Sequence, residues 1–267
     1  MTRTALVTGA SSGIGEACAL RLARKGWRVL ACVRRSGDAP EGTEEVLLDV
    51  TDDEQVRAVA EQVDELHGLV NNAGIALAVP LEFVPLDELR RQLDVNVIGQ
   101  VAVTQALLPQ LRRARGTVVF VGSIAGRSAL PFLGPYAASK HALEAIADSF
   151  RVELQPFGVD VTIVEPGTIS TPIWTKSADR AARLQERLPP TLGELYGGRL
   201  AALGRVAQKR GGNGASAVDV AKVVERALTA ANTPTRVLVG RDAKLRAGIE
   251  HLPDRLRDRV YERVLLR

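Results

Sequence analysis

Seven short apolar segments recur along the chain, and helical spacing fills most of the stretches between them. They lie at residues 4–7, 27–33, 46–50, 68–70, 117–121, 159–164 and 237–239. Strands that alternate with helices fold into a parallel sheet covered by helices on both faces, because each connection between parallel strands has to cross the sheet. The pattern therefore predicts an α/β fold with a doubly wound, seven-stranded parallel sheet in a single domain over residues 1–267.

Composition agrees with one large α/β domain and argues against a nucleic-acid-binding protein. Of the 267 residues, 46% are hydrophobic and 25% are charged, which suits a substantial core. The net charge of +4 is spread along the chain, and only 4% of the residues are aromatic. Neither a basic patch nor a platform for stacked bases is therefore expected, and no nucleic-acid partner is predicted.

The cysteines and the first residues predict a cytoplasmic protein. Cys18 and Cys32 lie inside predicted elements and form no disulfide framework, which fits a reducing cytosol. The chain enters a strand at once, so we expect no signal peptide, and no apolar run approaches the length that spans a bilayer. We also expect no metal site.

A glycine-rich turn directly follows the first predicted strand. Residues 8–15 are TGASSGIG, and helical spacing resumes after them. Glycines let backbone N–H groups approach a pyrophosphate at a helix N-terminus, where the helix dipole favours negative charge. A structural turn can also be rich in glycine, but the order strand, turn, helix favours a dinucleotide site of the Rossmann type. The residues predicted to contact the cofactor here are Gly9, Ser11, Ser12, Gly13, Ile14 and Gly15.

The end of the second strand indicates which dinucleotide binds. In a dinucleotide fold this end meets the adenosine ribose, where an acidic residue is typical of NAD and a nearby arginine suits NADP. The strand ends with Arg34 and Arg35 and without an acid, so these arginines pair with a 2′-phosphate unless both are merely solvated. We therefore predict NADP(H) in preference to NAD(H). Farther on, Asp49 is a candidate acceptor for the adenine amino group, and Thr51 or Asp52 is a candidate helix cap.

A serine, a tyrosine and a lysine follow the fifth strand. Ser123 comes just after it, and Tyr136 and Lys140 are four residues apart, so they share one face of a helix. A nearby cation lowers the pKa of a phenol, which would let Tyr136 exchange a proton with a substrate oxygen. Ser123 is placed to hydrogen-bond the same oxygen. On its own such a pair is more often a surface tyrosine and a solvated lysine, so the rest of the chain decides its meaning.

Six sequence markers together resemble the short-chain dehydrogenase/reductase family. They are TGASSGIG at 8–15, NNAG at 71–74, Asn96, Ser123, YAASK at 136–140 and PGTIST at 166–171. The resemblance runs from residue 4 to about residue 171, is nearest to the hydroxysteroid and retinol dehydrogenase branch, and implies the strand order 3-2-1-4-5-6-7. At Ser12 many NADP-using relatives carry a basic residue, which leaves the phosphate to Arg34 and Arg35, with Ser11.

The resemblance also implies roles for matching positions. Tyr136 would give or take the proton at the carbonyl oxygen, and Lys140 would hold the nicotinamide ribose and tune Tyr136. Ser123 would orient the substrate oxygen. Asn96 would hold a water that connects Lys140 to solvent, although without the family pattern we would interpret it as a buried asparagine that satisfies a backbone group. Further cofactor contacts are expected at Val50, Asn72, Ala73, Gly74, Pro166, Gly167, Ile169 and Thr171.

Two segments extend the chain beyond these markers. Residues 168–215 are predicted to form a lid, because a connection this long is usually functional. Residues 242–267 carry apolar residues at helical spacing, with Pro253 expected to restart the helix. This tail packs on the core, joins a dimer or lies on a membrane surface through its arginines. The alanine-rich helix that carries Tyr136 allows close packing of a second subunit, so a homodimer or homotetramer is expected.

These features predict an NADP(H)-dependent oxidoreductase that interconverts an alcohol and its ketone or aldehyde. Apolar residues at 77–83 and 130–133, together with those of the lid, favour a small hydrophobic substrate. The apolar lid residues are Ile173, Trp174, Leu184, Leu188, Leu192, Leu195 and Tyr196. Two alternatives stay open: a reductase of 3-oxoacyl groups on an acidic carrier protein, bound by Arg180, Arg183 and Arg187, and a regulatory protein that binds NADP(H) without catalysis.

Overall fold

The structure, a computed structural model, describes residues 2–185, 187–211 and 214–265. Within these ranges seven parallel strands form one sheet in the order β3-β2-β1-β4-β5-β6-β7. The strands are β1 (Thr4–Thr8), β2 (Arg28–Val33), β3 (Glu44–Leu47), β4 (Gly68–Asn71), β5 (Thr117–Val121), β6 (Asp160–Pro166) and β7 (Arg236–Val239). The predicted fold class and strand order are confirmed.

Helices cover both faces of this sheet. In the described part of the chain they are α1 (Gly13–Arg24), α2 (Asp53–Glu61), α3 (Leu86–Leu93), α4 (Gly99–Ala114), α5 (Gly134–Leu154), α6 (Pro172–Gln185), α7 (Thr191–Gly211), α8 (Ala217–Thr229), α9 (Arg241–Ile249) and α10 (Asp254–Leu265). Neighbouring residues of β1 alternate between the two cores: Val7 packs in the cluster that contains α1 and α8, and Leu6 in the one that contains α2, α4 and α5. Both residues are fully buried, as expected for a parallel sheet covered on two sides.

The long helical stretch after β4 breaks at a different place from the one expected. The sequence predicts one long helical stretch over residues 86–113 that is interrupted near Pro109. In the structure Pro109 lies inside α4, and the break is a π-helical turn at Asp94–Ile98. A proline in a helix leaves the carbonyl four residues earlier without a partner. Here that residue, Gln105, is exposed like Pro109 itself, so water can reach the freed carbonyl. The wider turn matters more for function, because it carries Asn96.

The third strand also begins and ends earlier than predicted. The apolar run at 46–50 suggested a strand there, whereas β3 covers Glu44–Leu47. This strand is at the edge of the sheet and pairs with β2 alone, so its side chains are largely exposed. The apolar Leu48 and Val50 are buried after the strand, where the chain turns in toward the other strand ends.

The lid and the tail are both helical. The connection 168–215 contains α6 and α7, while residues 212 and 213 of its glycine-rich end lie outside the described residues. The tail consists of α9 and α10, and Pro253 stands directly before α10, as the sequence indicated. None of the described helices combines the length and the apolar character needed to cross a bilayer.

Candidate active site

A groove of about 400 Å³ opens at the carboxyl ends of the strands, which is where ligands bind in open parallel sheets. Most of the predicted site residues line it: Gly9, Ser11, Ser12, Gly13, Ile14, Arg34, Asp49, Val50, Asn72, Ala73, Gly74, Ser123, Tyr136, Lys140, Pro166, Gly167, Ile169 and Thr171. The predicted residues Gly15, Arg35 and Asn96 are not part of the lining. The sheet therefore brings segments from the ends of six strands, β1 to β6, to one place.

The glycine-rich turn lets the backbone approach the groove. Gly9 and Gly13 both have a φ of +65°, in the left-handed region that favours glycine. A Cβ on Gly9 would lie 3.0 Å from the Cα of Ala73, and one on Gly13 would lie 3.3 Å from the side chain of Thr171. Ser12 is the N-cap of α1, so backbone N–H groups of the first helical turn border the groove. The turn is therefore suited to bind a pyrophosphate.

Thr8 and Asn72 fasten this turn to the loop after β4. The hydroxyl of Thr8 accepts the backbone N–H groups of Asn72 and Ala73 at 2.9 and 3.0 Å. The Asn72 amide donates to the backbone oxygens of Thr8 and Gly9 at 2.9 and 3.2 Å. A Cβ on Gly15 would lie only 2.3 Å from the Gly9 oxygen and 2.5 Å from that amide nitrogen. Gly15 thus shapes the turn without lining the groove.

Cationic side chains along the groove fit a phosphorylated dinucleotide. Arg34 lines the groove at the end of β2, whereas Arg35 points to Asp38, with 3.1 Å between Nε and Oδ2, and its side chain is 84% exposed. Further cations reach the lining from α3 and α6, namely Arg91, Lys176, Arg180 and Arg183. Backbone donors at one end and guanidinium groups beside the second strand are suited to bind the phosphate groups of a nicotinamide dinucleotide.

Asp49 is an ionised acceptor in the part of the groove next to β2. Its Oδ1 accepts the backbone N–H and the hydroxyl of Thr51 at 3.0 and 2.7 Å. Partial burial works to raise the pKa of Asp49, but the hydrogen bonds from Thr51 and the charges of Arg34 and Arg91 outweigh it, and the pKa lies below its usual value. Of the two candidate caps, Asp52 is the residue that caps α2.

Ser123, Tyr136 and Lys140 form one wall of the groove. Ser123 caps a short turn after β5, and its Oγ accepts the N–H of Ala125 at 3.1 Å. Tyr136 and Lys140 project from the first turns of α5, and the Lys140 Nζ lies 5.8 Å from the centroid of the tyrosine ring. The same Nζ donates to the backbone oxygen of Val121 at 2.7 Å. All three side chains belong to buried residues, so water has little access to them.

This burial shifts the pKa of each titratable group. Desolvation raises the pKa of the Tyr136 phenol, and the hydrogen bond with Ser123 and the charge of Arg246 act against it. Desolvation lowers the pKa of Lys140 to about 8, with the charge of Glu144 acting against it. We had expected Lys140 to lower the pKa of Tyr136. The structure shows the opposite direction, because burial disfavours the charged form of either group. Tyr136 is therefore held as a protonated phenol.

Asn96 lies behind this wall. It is fully buried in the turn Asp94–Ile98, and its Oδ1 accepts the backbone N–H of Ile75 at 2.8 Å. Its Nδ2 donates to the backbone oxygen of Ile75 at 2.9 Å and to the hydroxyl of Ser139 at 3.0 Å. Both amide hydrogens are thus used to hold the loop after β4 against α5. A water between Lys140 and solvent stays a prediction.

One end of the groove is apolar. Ala76, Ile173 and Trp174 line it, and the ring of Trp174 meets the ring of Tyr136 edge to face with centroids 5.8 Å apart. The remaining apolar lid residues pack on the body or face solvent: Leu184, Leu188 and Leu192 join Leu77 and Val79, Tyr196 packs against Phe83 and Phe132, and Leu195 is exposed. Two of the apolar lid residues, Ile173 and Trp174, are therefore placed to cover a substrate, whereas most of the others pack on the body.

Three cations near the groove had no signal in the local sequence. Arg91 lines it from α3, and Lys176 of α6 reaches across to Ser12, with 3.4 Å between Nζ and Oγ. Arg246 of α9 is close enough to Tyr136 for its charge to act on the pKa of the phenol. Each comes from an element distant in sequence from the residues it meets, so no motif spacing could reveal it.

Comparison with known proteins places this site among related ones. A family model described as short chain dehydrogenase matches residues 3–182. Mouse retinol dehydrogenase 5 is 40% identical over 98% of this chain and 88% of its own length. Human 17-beta-hydroxysteroid dehydrogenase type 6 is 37% identical over 96% of this chain and 87% of its own length. A short chain dehydrogenase from Burkholderia cenocepacia J2315, solved in complex with NADP, is similar with a TM-score of 0.75 and 26% identity over 99% of this chain and 98% of that one.

Proposed function

Since the chain belongs to the short-chain dehydrogenase family, in the branch of the retinol and hydroxysteroid dehydrogenases, it is a nicotinamide-dependent oxidoreductase, and we propose that it interconverts a hydrophobic alcohol and its ketone or aldehyde with NADP(H). One observation carries this proposal. The hydroxyls of Ser123 and Tyr136 and the ammonium of Lys140 share one buried wall, and an apolar pocket that includes Trp174 adjoins it.

The residues of this wall divide the work of proton transfer. When bound, the nicotinamide supplies or accepts the hydride, and the protein supplies orientation and the proton. The phenol of Tyr136 and the hydroxyl of Ser123 hold the substrate oxygen, and Tyr136 exchanges its proton with that oxygen. Because burial keeps Tyr136 protonated, it is ready to donate to a carbonyl oxygen. Lys140, with its pKa lowered to about 8, gains and loses a proton near neutral pH and is placed to resupply the phenol.

The preference for NADP(H) rests on two cations and on the lack of an acid at the end of β2. Arg34 is the first residue after that strand and lines the groove. Lys176 lies over Ser12, the position at which many NADP-using relatives carry a basic residue. We assign both side chains to the 2′-phosphate of the adenosine ribose, which would give it two charge-assisted partners. The NADP complex of the Burkholderia cenocepacia structure supports NADP as the cofactor.

A substrate panel followed through NADPH absorbance tests the proposal. We expect turnover of retinoid, steroid or long aliphatic carbonyls, and a higher kcat/KM with NADPH than with NADH. Arg34→Gln is expected to lower that cofactor preference about tenfold, the effect of losing a hydrogen bond between charged groups. Arg35→Gln is the matched control, because this neighbouring arginine pairs with Asp38, and it should leave the preference within about twofold. Turnover confined to small hydrophilic ketones, or equal use of NADH, would contradict the proposal.

The carrier-protein alternative is less well supported by the charges of the lid. It required Arg180, Arg183 and Arg187 to face an acidic partner. Arg180 instead forms an ion pair with Glu88, and Arg187 contacts Asp87 at 3.0 Å. Two of the three arginines are therefore already neutralised by α3. The regulatory alternative is set aside because the relatives that show the family are dehydrogenases.

Of the three alternatives for the tail, packing on the core is supported by Tyr261 of α10, which is buried and hydrogen-bonded to Ser128. We further propose a cytoplasmic location and a homodimer or homotetramer, on the composition and on the small alanine face of α5. Size-exclusion chromatography with light scattering tests the second point, and a monomeric mass at micromolar concentration would contradict it.

A further inference from the structure

Helix α9 touches two of the loops that build the groove. Asp242 and Arg246 are four residues apart in this helix, so both side chains lie on the same face, one turn apart. Asp242 reaches the loop after β6, and Arg246 reaches the loop after β5. One of these loops carries Gly167 to Thr171 of the groove, and the other carries Ser123.

The carboxylate of Asp242 sits in a notch between two glycines. Its Oδ2 accepts the backbone N–H of Thr168 at 2.6 Å. A Cβ on Gly167 would lie 2.3 Å from its Oδ1, and a Cβ on Gly240, which has a φ of +106°, would lie 2.7 Å from the same atom. A Cβ at either position would require this carboxylate to move, and the φ of Gly240 itself favours glycine. Asp242 therefore fixes the backbone just where the chain leaves β6 and enters the groove.

Arg246 begins a chain of hydrogen bonds that ends at Glu250, the residue directly after α9. Its Nη2 donates to the backbone oxygen of Ser128 at 2.8 Å, and its Nε donates to the Ser128 hydroxyl at 3.3 Å. Tyr261 donates its own hydrogen to Glu250 at 2.5 Å, so the 2.6 Å contact between Ser128 and Tyr261 must use the hydrogen of the serine. Ser128 is fully buried, and both its hydroxyl and its backbone oxygen are hydrogen-bonded to residues of the tail.

Ser128 is coupled closely to the catalytic wall. Its backbone N–H donates to the oxygen of Ile124 at 3.0 Å, and Ile124 directly follows Ser123. The charge of Arg246 also reaches Tyr136, where it acts with the Ser123 hydrogen bond against the effect of burial. Around Arg246 stand the carboxylates of Asp242 and Glu250 from the same tail. A shift of this arginine would therefore move the loop after β5 and change the electrostatic field at Tyr136.

We propose that α9 completes the active site: Asp242 and Arg246 are positioning residues that hold the loops after β6 and β5 in the arrangement needed for cofactor binding and proton transfer. This inference rests on the proposed function, because the two loops matter only if a dinucleotide and a substrate oxygen meet between them. It gives the C-terminal tail a role in turnover in addition to packing.

Arg246→Gln tests the first half of the inference. We expect kcat to fall about tenfold, the order of a lost hydrogen bond to a charged group, with a smaller change in the Kd for NADPH. The pH at which reduction loses its proton donor should also move upward, because a positive charge that lowers the pKa of Tyr136 has been removed. Arg246→Lys keeps the charge, so it should restore the pH profile more fully than it restores kcat.

Lys244→Gln is the matched control, since it removes one cation from an exposed position of the same helix. It should keep wild-type kcat and pH profile. Equal kcat in Arg246→Gln and Lys244→Gln would overturn the inference while the wild-type enzyme still reduces carbonyls. If wild type reduces none, the proposed function is what fails. Should Arg246→Gln not fold, Tyr261→Phe decides: a severalfold loss of kcat with an unchanged melting temperature supports the inference, and wild-type kcat overturns it.

Asp242→Ala tests the second half through binding alone. Removing the acceptor for the Thr168 N–H should raise the Kd for NADPH, measured by nicotinamide fluorescence, about tenfold. Asp242→Asn keeps an oxygen of the same shape at that place and should bind within about threefold of wild type. Wild-type affinity in Asp242→Ala would show that this contact does not position the loop.

Discussion

The two halves of the chain build the groove by different means. Residues 2–166 supply its floor from the ends of buried strands, with short contacts to backbone groups, such as the one between the Thr8 hydroxyl and the N–H of Asn72 at 2.9 Å. Residues 167–183, from the end of β6 through most of α6, supply its cover, with contacts from long charged side chains, such as the one from Lys176 to a serine 164 residues earlier.

This difference assigns different tasks to the two halves. A floor fixed by buried backbone hydrogen bonds holds reacting groups in one geometry, which proton transfer requires. A lid held by partly exposed ion pairs can open and close at small cost, which substrate entry requires. Substitutions in the floor should therefore change kcat, cofactor binding or folding, whereas substitutions in the lid should mainly change KM.

The largest effect is expected for Tyr136→Phe. Removing the phenolic hydroxyl takes away the proton donor, so kcat should fall by about a thousandfold, within the range for loss of general acid–base catalysis. The ring and its contact with Trp174 remain, so NADPH should still bind. Steady-state kinetics and nicotinamide fluorescence measure the two quantities separately.

Ser149→Ala is the control for this variant, because it removes a hydroxyl from an exposed position of the same helix, α5. It should keep wild-type kcat. Turnover of Tyr136→Phe within tenfold of wild type would show that another group donates the proton, and the role of the floor in the chemistry would be lost.

Glycine-to-alanine changes should have opposite signs in the two halves. In Gly15→Ala the new Cβ would lie 2.3 Å from the Gly9 oxygen, so we expect the free energy of unfolding to fall by about 3 kcal/mol, with weaker NADPH binding. In Gly198→Ala the new Cβ meets no atom of the described residues within 4 Å, inside α7 of the lid. A glycine inside a helix costs about 0.5–1 kcal/mol relative to alanine, so this variant should be slightly more stable.

Urea unfolding of both variants measures these free energies. Stabilisation by Gly15→Ala would mean that the turn can move away from Asn72. The idea that fixed backbone contacts hold the floor in one geometry would then be wrong. Loss of stability in Gly198→Ala would mean that this face of α7 is covered by a partner, such as a second subunit.

The floor was also the part that the sequence predicted best. Gly9 and Gly13 have positive φ angles and lie close to neighbouring residues, and only glycine meets both requirements. The fold therefore determines the residue type at these positions, which makes them recognisable in the sequence. The strand ends bring Ser123 and Arg34 to the same edge for a reason of topology alone. The direction of the pKa shift at Tyr136 was missed, because spacing shows which charges are near but not how much water is excluded.

The cover left fewer traces in the sequence. A lysine or arginine on a helix surface looks the same whether it meets solvent, a carboxylate or a phosphate. Lys176 and Arg246 are functional candidates only because the fold brings α6 to the groove and α9 to the loop after β5 that carries Ser123. The break at Asp94–Ile98 was missed for a similar reason, since Pro109 is the stronger local signal but its freed carbonyl partner faces water.

Burial of Lys140 should give stability a specific pH dependence. The folded chain loses the lysine proton at a pKa of about 8, whereas the unfolded chain keeps it to its usual value of 10.5, so the penalty is complete below pH 8 and is relieved as pH rises. Relative to Lys140→Met, the cofactor-free wild type should gain about 2 kcal/mol between pH 7 and pH 10. Burial raises the pKa of Cys18 to about 12 and also raises that of Cys32. These two thiols lower the free energy of unfolding above pH 9 in the wild type and in Lys140→Met alike. Only the difference between the two proteins therefore reports on the lysine. A difference that stays constant over this range would mean that water reaches the lysine.

The smallest effect is expected at the contacts between the lid and α3, where two arginines of similar chemistry differ in burial. Arg180 pairs with Glu88, and their side chains are only 17% and 12% exposed, whereas Arg187 and Asp87 are 52% and 59% exposed. A pair with less water around it contributes more to closure, so Arg180→Gln should raise the substrate KM about fivefold, with a smaller change in kcat. Arg187→Gln should stay within about twofold in both, because exposed pairs are screened by solvent and salt. Equal KM values for the two variants would show that the lid is held by its apolar packing on Leu77 and Val79. The lid would then be held as firmly as the floor, and the proposed difference between the two regions would be lost.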